Sequence, residues 1–111
     1  MNLTQQKCVP CEGGTKPLTR NEFQQYLSAV SEWNVVNNDH QIQKDFKFKD
    51  FKHALAFVNQ VGEIAEAEGH HPDLNLHGWN KLTITLSTHA IGGLSINDFI
   101  LAAKIDQLSA S

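Results

Sequence analysis

The second half of the chain carries a frame of proton-handling residues: Glu66, the run His70-His71-Pro72, Trp79, the pair Thr88-His89, and Asp98. Imidazole, with an unperturbed pKa of about 6.5, is the side chain that can serve as acid or base at cellular pH. Histidines set among carboxylates therefore point to proton-transfer chemistry. They are also zinc-ligand types, but adjacent side chains of an extended segment point to opposite sides, so His70 and His71 are poorly placed to share one ion. The HExxH and HxH spacings of common metal sites are missing, and no metal is expected. Nucleophilic catalysis has less support still, since both cysteines lie near the N-terminus and no serine sits in a GxSxG elbow. General acid–base catalysis is left, with Trp33 or Trp79 as an aromatic wall for a flat ring. A single histidine at a helix end or in a turn is commonly no more than a surface or capping residue. The clustering favours a shared role.

The elements that must position these residues can be read from caps and periodicity. Thr19 and Glu22 form a capping box and Leu18 can staple onto Phe23, so a helix starts there and buries Phe23, Leu27 and Val30, with Tyr26 at its edge. Strands follow over 33–36 and 41–49, joined at Asn37-Asn38-Asp39 into a hairpin. In the second strand Ile42, Lys44, Phe46 and Phe48 share one face. Asp50 is the expected N-cap of a long helix whose apolar stripe reads Phe51, Ala54, Leu55, Val58, Val61 and Ala65, with Phe57 and Ile64 outside its centre. So wide an apolar surface fits either a well-buried helix or a subunit contact. Gly69 is a natural C′ residue, which ends that helix near Glu68 and releases His70 and His71 into a segment that Pro72 biases toward extended backbone. Two more strands are expected over 74–77 and 81–88, joined through Gly78-Trp79-Asn80, with His89 at the end of the second. After Gly92-Gly93, Ser95 and Asp98 form another capping box, with Leu94 and Phe99 as its staple, for a helix running to about Leu108. The order α-β-β-α-β-β-α with short connections predicts an α+β fold, a four-stranded antiparallel sheet with three helices packed on one face.

At 111 residues the chain suits one domain, expected over 17–111 after a flexible N-terminal arm over 1–16. Lys and Arg number 9 against 12 Asp and Glu, a net charge of -3, with no basic stripe to meet phosphates, so nucleic acid is not an expected partner. The N-terminus has no apolar leader and no segment approaches a membrane span, which makes a soluble cytoplasmic protein the expectation. Cys8-Val9-Pro10-Cys11 supplies only two of the four ligands a structural zinc needs and precedes any strand-to-helix redox context. It reads as a surface arm, with a weak or intermolecular metal site as the alternative.

Glu66-x-x-x-His70-His71-Pro72, Trp79, Asn80-Lys81, Thr83-Ile84-x-Leu86-x-Thr88-His89, Gly93-Leu94-Ser95 and Asp98 resemble the signature of the pterin-4a-carbinolamine dehydratases. Glu32-Trp33-Asn34 is similar to a first-strand motif of that family, and Phe46-x-Phe48-Lys49-Asp50-Phe51 to its strand-to-helix junction. The likeness runs over about residues 17–106, and the segment from Cys8 to Gly14 resembles an arm of some bacterial members. The stretch 73–78 is one residue longer than in some relatives, which leaves the strand register there open.

The resemblance implies dehydration of a 4a-hydroxytetrahydropterin to the quinonoid dihydropterin, in the recycling of tetrahydrobiopterin. Pterin would be the substrate, with no cofactor. By similarity His70 and His89 are the acid–base candidates and His71 binds and orients substrate, the assignment of each proton being open. Glu66, a helical turn before His70, is either its orienting carboxylate or an ordinary exposed glutamate. Asp98 reads first as the helix cap that supports the loop carrying His89. Thr88 is a binding or supporting residue, Trp33 matches an aromatic near the family's pocket mouth, and Trp79 stands where tyrosine or phenylalanine is common. The implied partners are a second copy or three, as homodimer or homotetramer, and a functional link to an aromatic amino acid hydroxylase. The alternatives are a dimerisation cofactor, as animal members are for a homeodomain transcription factor, and a pterin-binding relative without significant turnover.

Overall fold

The computed structural model describes residues 2–9 and 15–108. Helix α1 (Arg20–Leu27) is followed by strands β1 (Asn34–Val36) and β2 (Gln41–Lys47), helix α2 (Phe51–Glu68), strands β3 (Asp73–His77) and β4 (Lys81–Leu86), and helix α3 (Ile96–Asp106). The sheet order is β1-β2-β4-β3 with every neighbouring pair antiparallel. This is the α+β architecture that the cap and strand pattern predicts. No helix among the described residues is long and apolar enough to cross a membrane.

Alternation decides which side of the sheet is covered. Ile42, Phe46, Leu82, Ile84 and Leu86 are buried under the helices, while Gln43, Asp45, Lys47, Thr83 and Thr85 line the other face. Lys44 shares the apolar side because Asp106 at the end of α3 receives its ammonium at 2.9 Å, together with the Trp33 indole N–H at 3.0 Å. The register open at 73–78 resolves as Asp73 opposite Thr85 through His77 opposite Lys81. Gly78 and Trp79 turn the chain with φ of 55° and 56°, and the Trp79 side chain stands 61% exposed at that tip.

Helix starts follow the caps: both boxes, Thr19 with Glu22 and Ser95 with Asp98, are formed, and Asp50 accepts from the His53 amide. The face of α2 differs from the expected stripe. Ala54, Phe57, Val61 and Ala65 are the buried row, and Phe57 packs its ring at 5.0 and 5.2 Å from Phe46 and Phe48. Phe51 and Leu55, expected inside, are exposed. A helix with apolar residues outside a single stripe leaves such a choice to its partners, and here the aromatic pair on the sheet takes Phe57. Helix α3 is the centre of the helical layer, with residues 97–103 all buried.

The segment expected as a flexible arm is docked over residues 2–9. A single 3-10 turn, Leu3–Gln5, lies on α3 and sinks Leu3 into the core with 3% of its surface exposed. The Cys8 amide donates to Glu68 and the Val9 amide to Asn97, so the arm's backbone is satisfied by side chains 60 and 88 residues away. Such long-range partners are invisible to local pattern. Cys11 and Glu12-Gly13-Gly14 lie outside the described residues, and with them the reading of Cys8 and Cys11 as a pair.

Candidate active site

Each proton-handling residue is delivered by the end of an element. Helix α2 closes on Gly69, which takes φ 66° and ψ 26°, a left-handed conformation that L side chains adopt at a cost. The chain therefore leaves the helix axis at His70 and runs extended into β3. On the other side, Thr88 pairs with Gly93 across a short loop whose 3-10 turn begins at His89. Gly93 is required by contact, since a Cβ there would sit 2.7 Å from Pro17 Cβ. Helix α3 then begins under this loop, so its first turn faces the segment from Gly69 to His71.

Asp98 is where the pieces join. Its carboxylate is fully buried, and Oδ1 lies 2.6 Å from His70 Nε2. Oδ2 accepts from the Thr88 hydroxyl at 2.9 Å and the Ser95 amide at 3.0 Å. Three donors converging on one buried carboxyl group is the pattern of the acceptor-only carboxylate, at a helix N-terminus that favours negative charge. Two proton positions follow. His70 must carry its proton on Nε2, which leaves Nδ1 as the nitrogen offered to a ligand. The Thr88 hydrogen is committed to Asp98, so in the 2.7 Å contact between Thr88 and Ser95 the serine is the donor.

His71 points elsewhere. Its Nε2 lies 2.6 Å from Glu66 Oε1 in a pair whose side chains are 61% and 81% exposed. Glu66 thus orients His71 and not His70, its expected partner, because the turn at Gly69 breaks the helical register and α3 supplies the carboxylate for His70 instead. His89 is exposed, and its ring makes no hydrogen bond among the described residues.

His70, His71 and His89 open together onto a cavity of about 340 Å³, whose wall is completed by Val9, Ser87, Thr88, Ala90 and Asn97. That volume is in the range of small-molecule clefts. A smaller depression of about 210 Å³ adjoins it through Ser87, Thr88 and His89, and reaches Asn37, His40 and Gln41. Neither tryptophan is part of the wall. Trp33 is buried with its N–H tied to Asp106, and Trp79 lies beyond the opposite end of β4 from His89. Among the described residues, the aromatic wall expected from Trp33 or Trp79 does not line this cavity. Ser87 could have been found from its alternation with His89. Asn97 was hidden behind the cap it follows, and Val9 behind the apparent independence of the arm.

The one described cysteine, next to Val9 of the cavity wall, is held toward its neutral thiol form. Burial, reinforced by the carboxylate of Glu68, pushes the Cys8 thiol up to about 12. Glu68 itself is held below the usual carboxylate range, first by the Lys104 ammonium at 2.6 Å and then by the Cys8 amide.

The chain is similar to known proteins along almost its whole length. A protein of Alkaliphilus metalliredigens, provisionally named a pterin-4-alpha-carbinolamine dehydratase, is 51% identical over 96% of this chain and 95% of its own. Pterin-4-alpha-carbinolamine dehydratase 2 of Arabidopsis thaliana, a mitochondrial protein, is 44% identical over 96% of this chain and 59% of its own length. Among solved structures, a transcriptional coactivator/pterin dehydratase from Brucella melitensis superposes with a TM-score of 0.75 at 34% identity, over 81% of this chain and 95% of that one. Residues 16–108 match the family described as Pterin 4 alpha carbinolamine dehydratase. With a cavity ringed by His70, His71 and His89 and relatives alike along almost the whole chain, this protein belongs to the pterin-4-alpha-carbinolamine dehydratase family.

Proposed function

We propose that the chain dehydrates a 4a-hydroxytetrahydropterin to the quinonoid dihydropterin by histidine acid–base catalysis. The observation that carries this is the His70–Asp98 pair, in which a buried carboxylate holds one ring nitrogen of a histidine that lines a cavity together with His71 and His89. In the reaction the C4a–O bond breaks, the oxygen takes up a proton and leaves as water, and the N5 proton is lost as the C4a–N5 double bond forms. Hydroxide is a poor leaving group, so the oxygen must be protonated as it departs. His70, presenting Nδ1, accepts the N5 proton. His89, with its ring open to the cavity, gives its proton to the 4a-oxygen. His71, steadied by Glu66, binds and orients the ring, and Thr88 supports Asp98. Proton count balances over the cycle once His70 and His89 exchange a proton through water.

A role in tetrahydropterin recycling follows from the product, which a reductase would return to a hydroxylase. A second reading, as a protein-interaction module, is favoured by the exposed Phe51 and Leu55, which lie at the end of α2 remote from His70. Stopped-flow ultraviolet measurement of carbinolamine decay tests the first. His70→Ala and His89→Ala are each expected to lose about 10²–10⁴ in kcat, the usual share of a positioned acid or base. A wild type that gives no acceleration over buffer refutes the dehydratase reading.

A further inference from the structure

We propose that the N-terminal arm is part of the substrate site, with Val9 as the apolar contact for the bound ring and Asn97 as the residue that positions it. This deepens the dehydratase reading and rests on it.

The family model matches from residue 16, so residues 2–9 lie outside the domain it describes, although similar proteins align over 96% or more of the chain. They are nevertheless built into it. Leu3 is an anchor in the core against α3. Beyond it the arm runs to the cavity, where a buried side chain reads its backbone in both directions. Asn97, 3% exposed, accepts from the Val9 amide at 3.0 Å and donates to the Val9 carbonyl at 2.5 Å. One amide side chain thus does what a neighbouring strand would do, satisfying donor and acceptor of a single residue. The Cys8 amide is held next door by Glu68 at 2.9 Å, and Glu68 is itself clamped by Lys104. Register is set by the same contact. A slip of one residue would set Pro10, which has no N–H to offer, against the amide.

All this fixing serves a side chain that is left in the open. Val9 is 59% exposed and lines the cavity with His70, His71 and His89. An exposed valine on a backbone pinned at both polar atoms is an unusual use of hydrogen bonds if the arm only covers α3. Apart from Val9 and Ala90, the side chains of that wall are polar or absent, and both tryptophans lie outside it. A flat heteroaromatic ring needs an apolar surface as well as proton carriers. Val9 is placed to supply it, and Asn97, one residue before Asp98, ties its position to the helix turn that fixes His70.

The test uses the full chain, with steady-state carbinolamine kinetics, the Kd of 7,8-dihydrobiopterin, and thermal unfolding. Val9→Gly alters an exposed residue and should leave the unfolding midpoint unchanged, raise KM and Kd about five- to tenfold, and leave kcat within about twofold. Asn97→Leu should raise KM and Kd at least as far, whatever its effect on the midpoint. Gln5→Ala, on the exposed side of the same arm, should change neither. If Val9→Gly keeps the wild-type KM and Kd, the arm's role is overturned while the dehydratase reading stands. If the wild type neither binds the dihydropterin nor accelerates dehydration, that reading fails and this proposal fails with it.

Discussion

Replacing Asp98 by asparagine separates the chemistry of this residue from its structural task. The substitution keeps shape and removes charge, so its outcome depends on which way the new amide faces. With the NH2 group at the Oδ2 position, it would oppose the Ser95 amide, a donor that cannot turn. With the NH2 at the Oδ1 position it meets His70 Nε2, which can become an acceptor by moving its proton to Nδ1. The second orientation is preferred: it keeps the helix cap and inverts the histidine tautomer. Two of the three hydrogen bonds to this site then survive as neutral ones, and the third is replaced. The stability loss should be about 1–3 kcal/mol, the difference between charged and neutral acceptors. For a domain of this size that is a fall of roughly 5–15 °C in Tm. Activity should fall much further. His70 would present an N–H where the substrate's N5 proton needs a lone pair, so kcat should drop about 10²–10⁴-fold with little change in KM. Asp98→Ala, which also removes the cap, should be the less stable of the two. Stopped-flow decay gives kcat, thermal unfolding gives Tm, and nitrogen chemical shifts of the His70 ring report the tautomer. A folded Asp98→Asn protein with wild-type kcat, or with Nε2 of His70 still protonated, would refute the reasoning.

Two further outcomes test the packing and the arm. Phe57→Ala should destabilise by about 3–5 kcal/mol in urea unfolding, as for a buried aromatic, while Leu55→Ala on the exposed row of the same helix should stay near 1 kcal/mol or less. Equal losses would put the wrong face of α2 in the core. In a Cys11→Ser background, Cys8 should react with a maleimide at pH 8 a hundredfold or more slowly than in urea, because a thiol pushed from 9.0 to about 12 holds little thiolate. The linked contribution to stability has the sign of a raised acid. It is full below the ordinary thiol value and is lost as pH rises toward 12, so urea unfolding at pH 10 should be easier than at pH 8, and less so in Cys8→Ala.

What the chain discloses without a structure is the part of the fold written in local chemistry. Thr19 with Glu22, Ser95 with Asp98, Asp50 and Gly69 each satisfy backbone groups within a few residues, and each starts or stops a helix where such chemistry requires. Strand alternation does the same for β2 and β4. The misread features share a different cause, which is that a distant partner makes the choice. Phe57 turns inward because Phe46 and Phe48 are on the sheet beneath it. Trp33 is tied to Asp106, far along the sequence and away from the cavity, and Leu3 finds its place in a core against α3. The histidines were legible by type and clustering, but their partners were not. Glu66 is a turn away from His70 in sequence, yet a single left-handed glycine hands it to His71.

Asp98 shows why a structural and a chemical reading of one residue need not compete. The capping task uses Oδ2, with Ser95 and Thr88 as donors, and the task toward His70 uses Oδ1. A carboxylate at the third position of a helix has two oxygens, and a cap consumes only one of them. The other is then held, without further cost in side-chain entropy, by a helix whose start is fixed by its own box. The histidine it meets inherits that rigidity, as does the loop through Thr88. The first turn of α3 is therefore the rigid element on which His70, the approach to His89 and, through Asn97, the arm at Val9 are all aligned. A change that frays this turn should disturb all three together, whereas a change at exposed Glu66 should reach His71 alone.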